Sequence, residues 1–199
     1  MTSRWYVLFG LLILGAYYVW SERELRQPPG VLAPHEPRQV ALPESRPPFE
    51  KNGYWLQPLA FFEASARVLS KKFYIFDRQA ELAPVDLALG WGDMSDSEIL
   101  NQIDISQENR FLLTSSVHSP LSAAETTLQT SNVHIIPANE TIEAQIKSVR
   151  KGQIVSISGY LVEARATDGF KWRSSLVRTD SGNGACELLW VDKIAVHEK

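Results

Sequence analysis

The sequence predicts an α+β protein, in which a small antiparallel or mixed OB-like β-barrel with two to three short helices follows one N-terminal transmembrane helix. Three observations lead to this expectation: an opening apolar run, a proline-rich stretch behind it, and a long region that alternates strand-like and helical segments. A strand, a helix, a bent strand and a hairpin is the order found in the OB barrel. The expected parts are an N-terminal tail (1–4), a transmembrane anchor (5–21), a proline-rich linker (22–48) and a β-rich globular domain (49–199).

The anchor is predicted from seventeen uncharged residues that stand between Arg4 and Glu22. As a helix rising 1.5 Å per residue they cover roughly 25 Å, which spans a thin hydrocarbon core. Trp and Tyr gather at both ends of the run, as they do at membrane interfaces. Small residues at the spacing of a cleavage site are missing, so the run indicates an uncleaved signal anchor rather than a signal peptide. The short basic tail favours a cytoplasmic N-terminus, which predicts a single-pass inner-membrane protein with a periplasmic globular domain.

Seven of the eleven prolines lie between Gln27 and Pro48. Proline blocks helices and sheet ladders and favours extended polyproline II, in which this segment could reach up to roughly 70 Å. The segment is therefore predicted to be a spacer. A docking ligand with the PxxP core Pro34–Pro37 is the alternative.

Alternating and helical patterns divide the region after the linker. In the first of them Phe62, Ala64, Ala66 and Val68 fall on one face, and Glu63, Ser65 and Arg67 on the other. Strands are predicted at 54–74, 84–90, 110–117, 132–138, 154–162, 170–179 and 186–196, and helices at 96–103, 119–129 and 142–150. The expected N-caps of these helices are, in order, Ser95, Ser119 and Thr141, with Glu98 completing a capping box and Pro120 at a first helical position. Gly152 is expected to end the third helix. Gly159 is expected to bend its strand, and Asp168-Gly169 to turn a hairpin.

The composition argues against several classes of ligand and of metal site. Twenty Lys and Arg against 23 Asp and Glu give a net charge of −3, with both signs interspersed, which argues against binding to nucleic acid or anionic lipid. A single cysteine, Cys186, excludes a disulfide within the chain and a cysteine-based zinc site. No cofactor motif is present.

Four segments carry a resemblance: LGWGDMSD (89–96), NVHIIPA (132–138), GYLVEA (159–164) and RSSLVRTDSGNGACELLWV (173–191). Together they resemble a family of bacterial single-pass membrane-anchored proteins of uncharacterised function, and the last segment is the most specific. The resemblance implies a similar architecture. It implies no activity, cofactor or catalytic residue.

Two groups of residues are candidates for binding. Trp91 and Asp93 lie in GWGDMSD, where they could present an indole or bind a cation, or instead plug the core and cap a helix. The second group is a polar strand face with its turn, which predicts either an ordinary exposed surface or a recognition surface for a glycan or an envelope protein. Its members are Arg173, Ser175, Arg178, Asp180 and Asn183, with Trp172 or Trp190 supplying apolar contact.

Catalysis is the competing hypothesis. Cys186 and His134, oriented by Asp180 or Asp93, could form a thiol hydrolase site, although a cysteine on a strand is more commonly a small buried residue. His118 and His134 with Asp93 or Asp96 could bind a metal, but no metal-binding motif is present. The sequence thus predicts a membrane-tethered extracytoplasmic binding or scaffold module of the bacterial envelope rather than an enzyme. The alternative is a small membrane-anchored hydrolase that uses Cys186 and His134 or a carboxylate–histidine metal site.

Overall fold

The structure, a computed structural model, describes residues 6–13, 15, 23–44, 46–177 and 186–197. The strands are β1 (Arg38–Ala41), β2 (Phe49–Lys51), β3 (Tyr54–Phe73), β4 (Val85–Gly90), β5 (Asp104–Glu108), β6 (Phe111–Ser115), β7 (Thr130–Pro137), β8 (Ile154–Arg165), β9 (Lys171–Arg173) and β10 (Glu187–His197). The helices are α1 (Ser97–Leu100), α2 (Ala123–Leu128) and α3 (Glu140–Ser148), with 3-10 turns at Arg78–Glu81 and Gly92–Ser95.

The sheet is organised around β3, which is 20 residues long. Residues Trp55–Arg67 of β3 pair antiparallel with β8, and Arg67–Phe73 pair antiparallel with β4. From β4 the pairing continues to β7, then in parallel to β10, and from β10 antiparallel to β8. Strands β1 and β2 are added to β3, and β9 to β8.

The core lies on the face of β3 that the alternating pattern predicts. Phe62, Ala64, Ala66 and Val68 are all buried there, packed against apolar residues of β4, β7, β8 and β10. Burying a side chain as large as Phe62 stabilises the fold by roughly 1.5–3 kcal/mol relative to leaving it in water. This part of the prediction is confirmed.

The predicted fold class is wrong. The described residues are mostly β, with 44% in strands and 21% in helices, and they form one eight-stranded mixed sheet and a separate two-stranded sheet. The expected α+β, OB-like unit underestimates the strands because β1, β2 and β5 lie in segments that were not predicted as strands. Strand β3 is long enough to pair with both β4 and β8. The sequence analysis does not predict that this length enlarges the sheet.

The helix caps are corrected by one to three residues. Asp96 rather than Ser95 caps α1, Ser122 rather than Ser119 caps α2, and Asn139 rather than Thr141 caps α3. Ser122 forms the reciprocal capping box, with Glu125 as its partner. Each of these segments contains two side chains able to cap a helix, so the sequence predicts a cap without choosing between them.

Two predicted glycine roles also change. Gly159 lets β8 and β10 approach closely, since a Cβ there would lie 1.9 Å from the carbonyl oxygen of Trp190; the register shift lies opposite, between Val191 and Lys193. Gly152 has a φ of +89°, and a Cβ there would lie 2.0 Å from the carbonyl oxygen of Leu25. Only glycine fits where the chain is both left-handed and this close to another segment.

The proline-rich segment lies against the domain, which corrects its prediction as a free spacer. Leu25 donates a backbone hydrogen bond to Lys151 at 2.8 Å, and Ala33 is buried in the main core. Further along, β1 adds four residues to the edge of β3. Prolines restrict local conformation, but the residues between them still have backbone groups that pair with the domain.

Of the predicted anchor, residues 6–13 and 15 are helical, and the rest lies outside the described residues. Across the described ranges, no helix combines the length and the apolar character needed to cross a membrane.

Candidate binding cavity

A cavity of about 320 Å³ lies between the β5–β6 turn, β7 and β9, and we call it the β9 cavity. It brings together members of two sets that the sequence analysis kept apart: His134 and Cys186 from the hydrolase hypothesis, and Trp172 and Arg173 from the second binding group. The remaining lining residues are Gln79, Asn109, Arg110 and Phe111. The site therefore combines aromatic faces with several hydrogen-bonding side chains, as ligand pockets commonly do.

The β5–β6 hairpin places Arg110 in this cavity. Glu108 pairs with Phe111, which leaves Asn109 and Arg110 as a two-residue turn with φ values of 49° and 67°. Two successive left-handed residues define a type I′ turn, where glycine is usual at the second position. Arginine in that conformation is strained by about 1 kcal/mol or more, so the surrounding contacts must hold it there.

Several contacts hold the Arg110 backbone in the turn. Its N–H donates to the Tyr74 hydroxyl at 3.2 Å, and its carbonyl oxygen accepts from Asn132 Nδ2 at 2.7 Å. The Cys186 Sγ lies 3.7 Å from the same carbonyl oxygen and 3.9 Å from Asn132 Nδ2. Gln107 Nε2 in turn donates to Asn132 Oδ1 at 2.6 Å. The turn is thus fixed by the half-buried Tyr74, which follows β3, and by the buried Asn132 of β7, which Gln107 of β5 supports.

The Arg110 guanidinium is nearly buried and is shared between two acids. Nη2 lies 2.8 Å from Asp77 Oδ1, and Nη1 lies 3.2 Å from both Asp86 Oδ1 and the Ala83 carbonyl oxygen. The ring of Tyr74 lies 4.0 Å from the guanidinium carbon, a favourable cation–π contact. Burial, and then the charge of Asp86, raises the pKa of Tyr74 to about 12.

Asp86 joins the arginine to the histidine. Strands β4 and β7 place Asp86 directly opposite His134, and His134 Nδ1 lies 2.9 Å from Asp86 Oδ1. Asp86 is completely buried, and only 5% of the His134 side chain is exposed. Trp172 packs on the imidazole with a centroid distance of 4.9 Å. The approach of His134 Nδ1 to Asp86 Oδ1 lacks the geometry of a hydrogen bond, since the buried Nδ1 has no hydrogen-bond partner among the described residues, so the contact between Asp86 and the imidazole is electrostatic.

Arg173 is held on the wall of the β9 cavity by Glu163, which is not part of the Asp86 network. Its Nη1 lies 2.8 Å from Oε2 of the buried Glu163, which Arg165 and Lys171 also contact. Burial raises the pKa of Glu163, but hydrogen bonds from Arg173 and Arg165 outweigh it and hold the pKa at about 2. Glu163 therefore stays ionised and fixes Arg173 beside Trp172.

The Trp91 prediction is corrected, because Trp91 is buried in the main core and presents no indole to a ligand. Asp93 is exposed in the 3-10 turn beside it, where its backbone N–H donates to Gln129 Oε1 at 2.5 Å. Neither residue lines the β9 cavity. Trp91 therefore fills the core, which is the structural alternative given for GWGDMSD in the sequence analysis.

Ser175 is buried behind β9, where its backbone N–H donates to the carbonyl oxygen of Cys186 at 3.1 Å. It is not among the residues that line the cavity. The predicted residues Arg178, Asp180 and Asn183 lie outside the described residues. His118 is exposed, and among the described residues no three His, Cys, Asp or Glu side chains form a group able to hold a metal ion.

Sequence reasoning missed Asp86 and Arg110. A signal for Asp86 was present, since it is the one charged residue in the otherwise apolar strand VDLALG, and a charge in a doubly buried strand needs a partner. Arg110 gave a weaker signal: Asn109 favours a turn, but no glycine follows it.

No family model, curated protein or solved structure matches this chain.

Proposed function

We propose that the protein is a membrane-tethered extracytoplasmic binding module of the bacterial cell envelope, and that its ligand site is the β9 cavity. The supporting observation is the convergence of Trp172, Arg173, His134 and Cys186 on one cavity, beside a buried ion network. The tether and the compartment are proposed from the apolar run at 5–21. The partner is a glycan or an envelope protein.

The network gives the cavity rigid walls. Arg110 and His134 are each held by Asp86, and Arg173 is held by Glu163, so three polar walls are fixed before a ligand arrives. A site whose side chains are already ordered loses less conformational entropy on binding. Trp172 supplies apolar contact area, while Gln79, Asn109 and Arg173 supply hydrogen bonds.

The test is photocrosslinking in cells with the full chain, with a photoreactive phenylalanine analogue placed at Phe111, on the cavity wall. The same analogue at Val117, which is 92% exposed and does not line the cavity, is the control. We expect a specific envelope component to be captured from position 111 only. Identical products from both positions, or only bulk cytosolic proteins, would refute the proposal.

Two arginines provide a matched pair for the same experiment. Arg173 and Arg165 both contact Glu163, but only Arg173 lines the cavity. We expect R173A to lower the crosslinked yield at least fivefold and R165A to leave it unchanged. Equal losses would show that capture depends on the Glu163 cluster and not on the cavity.

The compartment is tested separately. A reporter that is active only in the periplasm, fused after Lys199, should be active. Activity of a cytosolic reporter alone at the same site would reverse the proposed orientation.

One observation favours a thiol hydrolase as a second candidate. His134 Nδ1 contacts Asp86 Oδ1 at 2.9 Å, and Cys186 lines the same cavity as the imidazole. Asp86 occupies the position that the sequence analysis gave to Asp180 or Asp93. In such a site, Nε2 of His134 takes the thiol proton and the thiolate adds to the acyl carbon of an ester or amide. The alcohol or amine then leaves with that proton, and water hydrolyses the thioester to the free acid and the thiol.

The full chain treated with a maleimide probe at pH 7 tests this candidate. A hydrolase site predicts labelling of native Cys186 faster than of the urea-unfolded chain, and slower labelling in H134A. Slower labelling of the native than of the unfolded chain, unaffected by H134A, would show an unactivated thiol and reject it.

A further inference from the structure

A row of aromatic side chains crosses three strands on the face of the sheet opposite the main core, beside a second buried apolar cluster that includes Val162 and Leu188. Phe61 on β3, Tyr160 on β8 and Trp190 on β10 are register partners, with both adjacent pairs of ring centroids 6.0 Å apart. The next residues along these strands, Phe62 and Leu161, are buried. Since neighbouring residues of a strand face opposite sides, the aromatic row points away from the main core. Its three side chains are half-buried, and Tyr160 and Trp190 pack against the second cluster.

The chain before β2 turns part of this row into a pocket. The Phe49 ring meets Trp190 edge-on at 5.1 Å, and Pro58 closes one side. Together with Tyr160 and two further prolines they enclose a cavity of about 350 Å³, which we call the aromatic pocket. It shares no lining residue with the β9 cavity.

A cation already lies on one of these rings. The guanidinium carbon of Arg46 is 4.7 Å from the centroid of Tyr160. Arg46 is exposed and is the one charged side chain among the lining residues that the structure describes. The rings therefore attract positive charge, and no lining carboxylate is present to pair with it.

These features select the type of ligand. The faces of Trp and Tyr are electron-rich, so they attract cations and repel anions. A primary ammonium is strongly hydrated and would lose that hydration here without a carboxylate to replace it. A quaternary ammonium is weakly hydrated, carries a permanent charge and presents methyl groups that pack on rings and prolines.

We propose that the aromatic pocket is a binding site for a soluble quaternary ammonium compound. The Phe49, Tyr160 and Trp190 rings contact the methylated cation. Arg46 competes for the face of Tyr160, so that it must move aside when the ligand binds. This site is independent of the function proposed for the β9 cavity.

The test titrates the full chain, in dodecyl maltoside, with tetramethylammonium chloride at constant ionic strength, and follows tryptophan fluorescence. Neopentyl alcohol, a neutral molecule of similar shape, is the matched control ligand. We expect a saturable change with tetramethylammonium and a response at least fivefold weaker with the alcohol. Equal responses would show a merely apolar pocket, and no saturable response would show no site; either result overturns the proposal.

Conservative variants keep the test independent of folding defects. We expect R46Q to bind tetramethylammonium several-fold more tightly, because it removes the competing cation. Y160L should bind at least fivefold more weakly, whereas W55F, which alters an exposed tryptophan outside the pocket, should bind like the parent chain. Loss of binding in W55F, or weaker binding in R46Q, would contradict the assignment.

Discussion

Asp86 and Glu163 are both fully buried carboxylates, yet they meet their cations in opposite ways. The partners of Asp86 are buried with it, since the Arg110 and His134 side chains are 8% and 5% exposed. The three cations of Glu163 are 64%, 57% and 51% exposed, for Arg165, Lys171 and Arg173 in that order. One acid thus depends on a few buried partners, and the other on several partners in contact with water.

The difference changes what happens when a partner is lost. Water cannot readily replace a missing buried cation, so the remaining charge is left in a medium of low dielectric constant. At Glu163 the other two cations remain, and each is already partly hydrated. Buried networks of the first kind are less tolerant and more often fix a functional site, which agrees with the place of Asp86 beside the β9 cavity.

The largest predicted effect comes from breaking the Asp86 network. We expect R110M to lower the free energy of unfolding by about 3–5 kcal/mol, because Asp86 stays buried without its guanidinium. Urea unfolding of the full chain in detergent, followed by tryptophan fluorescence, measures the loss.

The double variant R110M/D86N is the control for that prediction. Removing the charge of Asp86 as well should restore much of the lost stability, since no unpaired ion remains. A double variant as unstable as the sum of the two single variants would show that the residues are not coupled.

A smaller effect is predicted for E163Q, and it depends on pH. The pKa of Glu163 is lowered from 4.5 to about 2 in the folded chain, so its stabilisation is present above pH 4.5 and is lost as the pH falls through 2. The shift corresponds to at most about 3.4 kcal/mol, and screening by water at the exposed cations reduces it to about 1–2 kcal/mol.

The measurement compares urea unfolding of the parent chain and E163Q at pH 7, 4 and 2. We expect the parent to be more stable at pH 7 and the two curves to converge toward pH 2. A difference that stays constant down to pH 2 would mean that the Glu163 charge contributes nothing.

The sequence predicts local patterns of burial better than it predicts which strands pair. Period-two alternation predicts the buried face of β3, because burial on one face is a local pattern. The pattern does not show that β3 pairs with both β4 and β8, since pairing depends on residues far away in the chain. For the same reason the prolines of the linker do not predict its contacts with Lys151 and with β3.

The candidate site was predictable as a set of residue types but not as an arrangement. The sequence predicts His134 with Cys186 as one set and Trp172 with Arg173 as another, and the register of β7, β9 and β10 brings the two sets together. The lone charge of Asp86 in an apolar strand indicates that it needs a partner, but the sequence does not show that Arg110 and His134 are the partners. Arg110 occupies a turn position that usually holds glycine.

The smallest predicted effect is that of R165A. Arg165 is the most exposed of the three cations, and Glu163 keeps Arg173 and Lys171 when Arg165 is removed. We therefore expect a loss of about 0.5 kcal/mol or less at pH 7, within the range of exposed ion pairs. The same urea unfolding measures it, with R110M as the reference for a buried cation. A loss above about 1.5 kcal/mol would mean that the Glu163 cations are not interchangeable, and the contrast between the two acids would then rest on position in the network rather than on exposure.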